Sequence, residues 1–214
     1  MKITILNTKD IIWQEISDYT KFVSSQRQQK IERFAFEKDK IASLSAGLLL
    51  RYKASETLEI PADKITINYS QHNKPYIENF PHYYFNLSHS GNLVVLAESR
   101  FPVGIDAELI SNPREKVAKK YFTESENVFL SESKNKNTAF FRIWTSKESY
   151  VKMLGTGLLK SLKSFDIFSQ QMKDYFYSFE FSGYEVTVCC ENLPFENISK
   201  EEVSFDELMN SFYE

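Results

Sequence analysis

Two short stretches hold side chains suited to chemistry. One is Val103-Gly104-Ile105-Asp106-Ala107-Glu108; the other runs from Phe141 through Glu148 and Lys152 to Gly157 and Leu158. In an extended strand side chains alternate between faces, so Asp106 and Glu108 point the same way. On a helix, Glu148 and Lys152 share one face. If the two elements meet, their carboxylates and the ammonium converge into a set suited to a hard divalent cation and a phosphate. Each pair also has a plainer reading. Alternating acids on an exposed strand are solvated charges that resist aggregation. A Glu/Lys pair on a helix is an ordinary ion pair of roughly 0.2–0.5 kcal/mol. The flanks favour chemistry: Val103 and Ile105 make the acidic segment read as an interior strand, where unpaired carboxylates are costly. Neighbouring carboxylates also raise one another's pKa unless a cation offsets them.

These residues need elements to hold them. Thr145 followed by Glu148 fits a capping box, but Phe140, Phe141, Trp144 and Val151 predict one continuous helix over 138–154. That helix places Phe141, Thr145, Glu148 and Lys152 on one ridge, with Gly155 and Gly157 at its end. Earlier in the chain, residues 2–6 read as a strand. Helical periodicity starts near Ser24 or Ser25, breaks near Glu37, and resumes from Asp39 to Leu58 with Ile41, Leu44, Leu48, Leu49 and Tyr52 on one side; Pro61 closes it. Residues 65–67 and 85–87 read as strands around a polar loop, and 93–97 with 103–107 as a β-hairpin entered near Pro102. Helices are expected over 113–121 and 124–131, and a second hairpin over 175–190 turning at Ser182-Gly183. The mixture is α+β.

The 214 residues allow one large domain or two small ones. A hydrophobic share of 42% excludes disorder, and a net charge of −3 speaks against nucleic acid as the main partner. Arg27, Lys30, Arg33, Lys38 and Lys40 nevertheless form a basic patch. The adjacent Cys189 and Cys190 point to opposite faces of a strand, so neither a disulfide framework nor a metal knuckle is expected. No signal peptide or bilayer-spanning run is evident, and a soluble cytoplasmic protein is expected. His89, between two serines at a strand end, can donate to a phosphate; Lys74, in Asn73-Lys74-Pro75-Tyr76, lies in a turn.

The run from Trp144 to Leu158 resembles, along its whole length, the W-(T/S)-x-K-E-(A/S)-x-x-K-x-x-G-x-G-L motif of the 4′-phosphopantetheinyl transferases. Gly104 to Glu108 resembles their G-(I/V)-D-(I/V)-E motif, with Ala107 for the usual branched residue, and Asn73–Tyr76 and Phe85–Gly91 resemble two further segments. The likeness spans roughly residues 27–165 and is to the larger, surfactin-synthetase-activator-like branch. It implies two similar α/β subdomains (1–102 and 103–214) related by a pseudo-twofold axis, with the active site in the cleft between them. The implied reaction transfers phosphopantetheine from coenzyme A, the co-substrate, to a serine of an acyl or peptidyl carrier protein. Asp106, Glu108 and Glu148 are the implied Mg²⁺ ligands, and Glu148, Lys152 and His89 the catalytic residues. Ser88, His89 and Lys152 would contact the diphosphate, the Lys74 turn the adenosine end, and Arg27 and Lys30 the 3′-phosphate. Many relatives place a further arginine where this chain has Ala42; Lys40 or Arg33 could substitute. The basic, apolar segment 114–122 suits docking of the carrier, and composition alone reads it equally as a solvated amphipathic helix; a monomer is expected. The competing reading is a non-catalytic coenzyme A-binding or carrier-docking module.

Overall fold

The computed structural model describes residues 1–157, 160–192 and 197–212, so Leu158 of the long motif lies outside the described residues. The strands are β1 (Lys2–Asn7), β2 (Ile67–Tyr69), β3 (Pro75–Ile77), β4 (Tyr84–Ser90), β5 (Leu93–Ser99), β6 (Gly104–Leu109), β7 (Phe176–Phe181), β8 (Tyr184–Cys189) and β9 (Ser199–Val203). The helices are α1 (Trp13–Ile16), α2 (Ser25–Glu32), α3 (Glu37–Leu58), α4 (Glu115–Tyr121), α5 (Glu124–Glu132), α6 (Lys136–Leu154) and α7 (Phe205–Asn210). Among the described residues no helix is long and apolar enough to cross a membrane.

Two larger sheets, each backed by a long helix, and a small two-stranded β2-β3 sheet make up an α+β fold. The first has strand order β4-β5-β1-β9 and packs on α3; the second has order β6-β8-β7 and packs on α6. Helix α3 is buried on all sides from Ile41 to Leu50. Ala, Ser and Gly fill the side that the leucines leave, so α3 can sit between the sheet and α2. Helix α6 is capped by the Asn135 side chain and ends at Gly155 (φ 68). It presses so closely on β6 that a Cβ at Gly104 would collide with the Ser149 carbonyl. This explains why the acid-bearing strand starts on glycine.

The structure corrects the expected hairpin of 93–97 with 103–107. Strand β5 instead pairs antiparallel with β4 across Gly91-Asn92 and with β1, while β6 belongs to the other sheet and pairs with β8. Gly91 (φ 53) supplies the left-handed turn that closes the hairpin. The second expected hairpin forms as β7–β8, with Ser182 (φ 48) and Gly183 (φ 83) in its turn. The C-terminal stretch departs from a division at residue 102. Strand β9 runs parallel to β1 in the first sheet, and Leu208 of α7 is buried in the α3 core. The buried Lys53 ammonium bridges Glu56 at 2.5 Å and Glu201 at 2.7 Å, fastening β9 to α3.

Candidate active site

The two sheets meet edge to edge, β4 against β6. Asn86, Ser88 and Ser90 occupy alternate positions on β4 and so point the same way. They accept hydrogen bonds from the backbone N–H groups of Ile105 (2.9 Å), Ala107 (3.3 Å) and Leu109 (3.2 Å). Side chains thereby satisfy donors that an edge strand would leave exposed. The expected interior strand is in fact an edge strand sealed from its neighbour. The serines also donate onward, Ser88 to Asp106 Oδ1 at 2.9 Å and Ser90 to Glu108 Oε2 at 3.2 Å. The junction that joins the halves therefore also orients the two acids.

Lys152 crosses from α6 into this junction. Its Nζ lies 2.6 Å from Asp106 Oδ1, 2.9 Å from Ser88 Oγ and 3.2 Å from the Ile105 carbonyl. Asp106 is buried, and its Oδ2 has no hydrogen-bond partner. Burial and the charge of Asp106 raise the Glu108 pKa, against hydrogen bonds from Ser90 and Trp144. Burial, Asp106 and Glu108 likewise raise that of Glu148, opposed by Lys152. All these acids thus sense one another across the strand–helix contact. Among the described residues, however, no three carboxylate, His or Cys side chains form a closed metal cage; the Lys152 ammonium stands beside Asp106 instead. The donor set still fits Mg²⁺, which takes one or two carboxylates and completes its shell with water and substrate phosphate. The orphaned Asp106 Oδ2 is the free oxygen such an ion needs.

Beside the junction lies a cavity of about 930 Å³ lined by Arg27, Lys30, Arg33, Tyr69, Asn73 and Pro75. The Arg27 stem lies over Gly47, where a Cβ would come within 2.6 Å of it, and its guanidinium donates to the Ser43 carbonyl at 3.0 Å. Arg33 shares this cavity, whereas Lys40 lies over the Trp13 ring and Ala42 is buried in the core. Of Lys40 and Arg33, Arg33 is the one that lines this cavity. His89 faces the same cations: burial, then Lys30, Lys152 and Arg27, push its pKa down to about 4. It is neutral near pH 7, and an anion entering the basin should raise its pKa, so that binding takes up a proton. Affinity for a phosphate dianion should then strengthen as pH falls below the pKa of the anion-bound histidine, by up to about tenfold per pH unit until the free histidine, at about 4, protonates too. His89→Gln should abolish that component, so the difference between the two titrations isolates the histidine from the ligand's own protonation. Calorimetry in buffers of differing ionisation enthalpy measures the proton uptake; none in the wild type would rule this out.

Two expected ligand residues are committed elsewhere. The Ser88 hydroxyl is engaged by Asp106, Lys152 and the Ala107 N–H. The Lys74 turn borders the cavity through Asn73 and Pro75, but its amine turns away and donates to the Met153 carbonyl at 2.7 Å. Ser90, Asn86 and Trp144 were not singled out for site roles from the sequence; the signal was the alternation of polar residues at 86, 88 and 90. Next to Glu148, Lys147 is wholly buried against Glu126 at 2.8 Å. It also donates to the carbonyls of Leu162 and Phe165, each at 2.8 Å. On α4, Ala118 faces inward beside the buried Phe122, leaving Lys116, Lys119 and Lys120 on an exposed basic face.

Residues 12–100 match the family model of the 4′-phosphopantetheinyl transferase N-terminal region, and residues 102–194 that of the 4′-phosphopantetheinyl transferase superfamily. The chain is 35% identical to the 4′-phosphopantetheinyl transferase gsp of Aneurinibacillus migulanus, covering 89% of this chain and 85% of that one. It is 30% identical to the 4′-phosphopantetheinyl transferase Sfp of Bacillus subtilis, covering 92% and 94%. A more distant similarity, 30% over 64% of this chain and 49% of the other, is to the human L-aminoadipate-semialdehyde dehydrogenase-phosphopantetheinyl transferase.

Proposed function

This chain belongs to the 4′-phosphopantetheinyl transferase superfamily, and we propose that the junction of its two sheets moves the phosphopantetheine arm of coenzyme A onto a serine of an acyl or peptidyl carrier protein. One observation supports the reading: the Lys152 ammonium, bound to Asp106 and Ser88, acts at once on Glu148 among the acids and on Lys30 and His89 of the basic basin. A diphosphate spanning that boundary meets cations on one side and a metal-ready carboxylate pair on the other.

The carrier serine oxygen attacks the phosphorus bearing pantetheine. The bond from that phosphorus to the bridging diphosphate oxygen breaks, and adenosine 3′,5′-bisphosphate leaves. Glu148, whose raised pKa suits proton acceptance, takes the serine proton. Lys152 neutralises charge building on the phosphoryl oxygens. Asp106 and Glu108, with Glu148 alongside, would hold Mg²⁺, which when bound supplies further stabilisation of that charge. Arg27, Lys30 and Arg33 would hold the 3′-phosphate, and the basic face of α4 suits an acidic carrier. A non-catalytic binding module is not favoured, because binding alone does not require acids and lysine set together in this way.

The test is intact-mass spectrometry of an apo carrier protein incubated with the enzyme, coenzyme A and Mg²⁺, with and without chelator. Transfer adds the mass of one phosphopantetheine group, and chelation prevents it. Coenzyme A binding without any mass gain across several carrier types would favour the binding-module reading.

A further inference from the structure

We propose that Lys74 is a positioning residue whose ammonium, reaching over from the first half, fixes the last turn of α6 against the start of β6. It would thereby hold Glu148 and Lys152 in register with Asp106 and Glu108. The inference rests on the transfer reading above.

The root of the side chain is rigid. Lys74 sits in the β2–β3 hairpin, where its backbone N–H donates to Ser70 Oγ at 3.1 Å and its carbonyl accepts from the Ser70 N–H at 2.9 Å. Its tip reaches the Met153 carbonyl at 2.7 Å and the Val103 carbonyl at 3.5 Å. Met153 follows Lys152 directly, and Val103 precedes the glycine that opens β6, so one amine touches both site-bearing elements. The last carbonyls of a helix lack intrahelical partners. In α6 the Gly155 N–H serves Val151 and Lys152, and the Met153 carbonyl is served by Lys74, a cation at the negative helix end. Gly155 makes room for it: a Cβ there would lie 2.9 Å from Lys74 Cδ. The amine is bonded to carbonyls, and burial lowers its pKa to about 8. Because Asn73 and Pro75 of the same turn line the anion cavity, Lys74 also links that wall to the helix carrying Glu148.

The test uses the full chain with Lys74→Met and with Lys74→Cys before and after alkylation by 2-bromoethylamine, which restores an ammonium at nearly the original reach. Cys189 and Cys190 are buried and shielded from the reagent in the folded protein. Both substitutions should lower kcat about 30- to 100-fold, with the Kd for coenzyme A changed less than about twofold. Aminoethylation should return most of the rate. Unchanged kcat, a loss confined to coenzyme A affinity, or no recovery on aminoethylation each overturns the inference. If methionine impairs folding, Lys74→Gln replaces it. Hydrogen exchange at the amides of Lys152–Gly155 reads the same effect without transfer: faster in Lys74→Met and slowed again by aminoethylation. A wild-type enzyme that modifies no carrier would overturn the transfer reading; unchanged exchange in the variant would overturn this one.

Discussion

Asp106→Asn should lower the rate of carrier modification by about three orders of magnitude at saturating Mg²⁺. Asparagine keeps the shape but removes one negative charge from the point where β6, α6 and Ser88 meet. Asp106 Oδ1 already binds Lys152 and Ser88, while Oδ2 is buried and unpartnered. In the variant an amide nitrogen replaces one of these oxygens, and the position meant for a cation receives a donor. Coenzyme A binding in chelator should move the other way. Lys152, with its side chain 29% exposed, is released from its carboxylate and left free to attract phosphate. Coenzyme A should therefore bind as tightly as to the wild type, or tighter, without metal, yet gain nothing when Mg²⁺ is added. Rapid-quench transfer assays and calorimetry with and without Mg²⁺ measure both arms. A wild-type rate, or a full Mg²⁺ response in coenzyme A affinity, would remove Asp106 from the metal site. The fold should survive, because Lys152 can be hydrated and Ser88 can still bond the amide.

The candidate site residues were legible because their spacing encodes their geometry. Asp106 and Glu108 share a face by strand alternation, and Glu148 and Lys152 by helical periodicity; both pairs meet at the contact of β6 with α6. What the sequence hid was partnership between distant segments. Strand β6 reads as half of a hairpin with β5 because both are apolar and adjacent in the chain. The two-residue turn at Gly91-Asn92 gives β5 to β4 instead, freeing β6 for the other sheet. Ser88 is expected beside His89 as a phosphate ligand, yet its hydroxyl turns toward β6 and Lys152, while the histidine faces Lys30 and Arg27 as well. Lys74 illustrates the same limit: it lies in the turn between β2 and β3, and its long side chain points to the other half. Strand β9 could not be read from local pattern, because Ser199–Val203 is largely polar and is held by pairing with β1 and by Lys53.

The largest effect on stability is expected at Lys147. Its ammonium and the Glu126 carboxylate are both fully inaccessible to solvent and lie 2.8 Å apart. All three ammonium protons are used, on Glu126 and on the carbonyls of Leu162 and Phe165. The carboxylate is equally engaged, accepting from the N–H groups of Thr123 and Ile167. One ion pair thus ties α6, the start of α5 and the segment that follows α6. Such a pair need not stabilise relative to apolar residues of the same volume, but removing one member strands the other charge in a dry interior. Lys147→Met should therefore cost about 3–5 kcal/mol. Adding Glu126→Gln removes the stranded charge and keeps an acceptor for the capping N–H, so the double variant should be more stable than Lys147→Met alone. Non-additivity in urea denaturation checks this, since contacting residues couple by about 0.5–3 kcal/mol. Additive losses would mean that the two groups do not act as a pair. Activity separates the positional role from the stabilising one. If the tie also orients Glu148, the double variant should remain impaired in transfer at temperatures where it is fully folded, because no substituted side chain restores the bonds to Leu162 and Phe165.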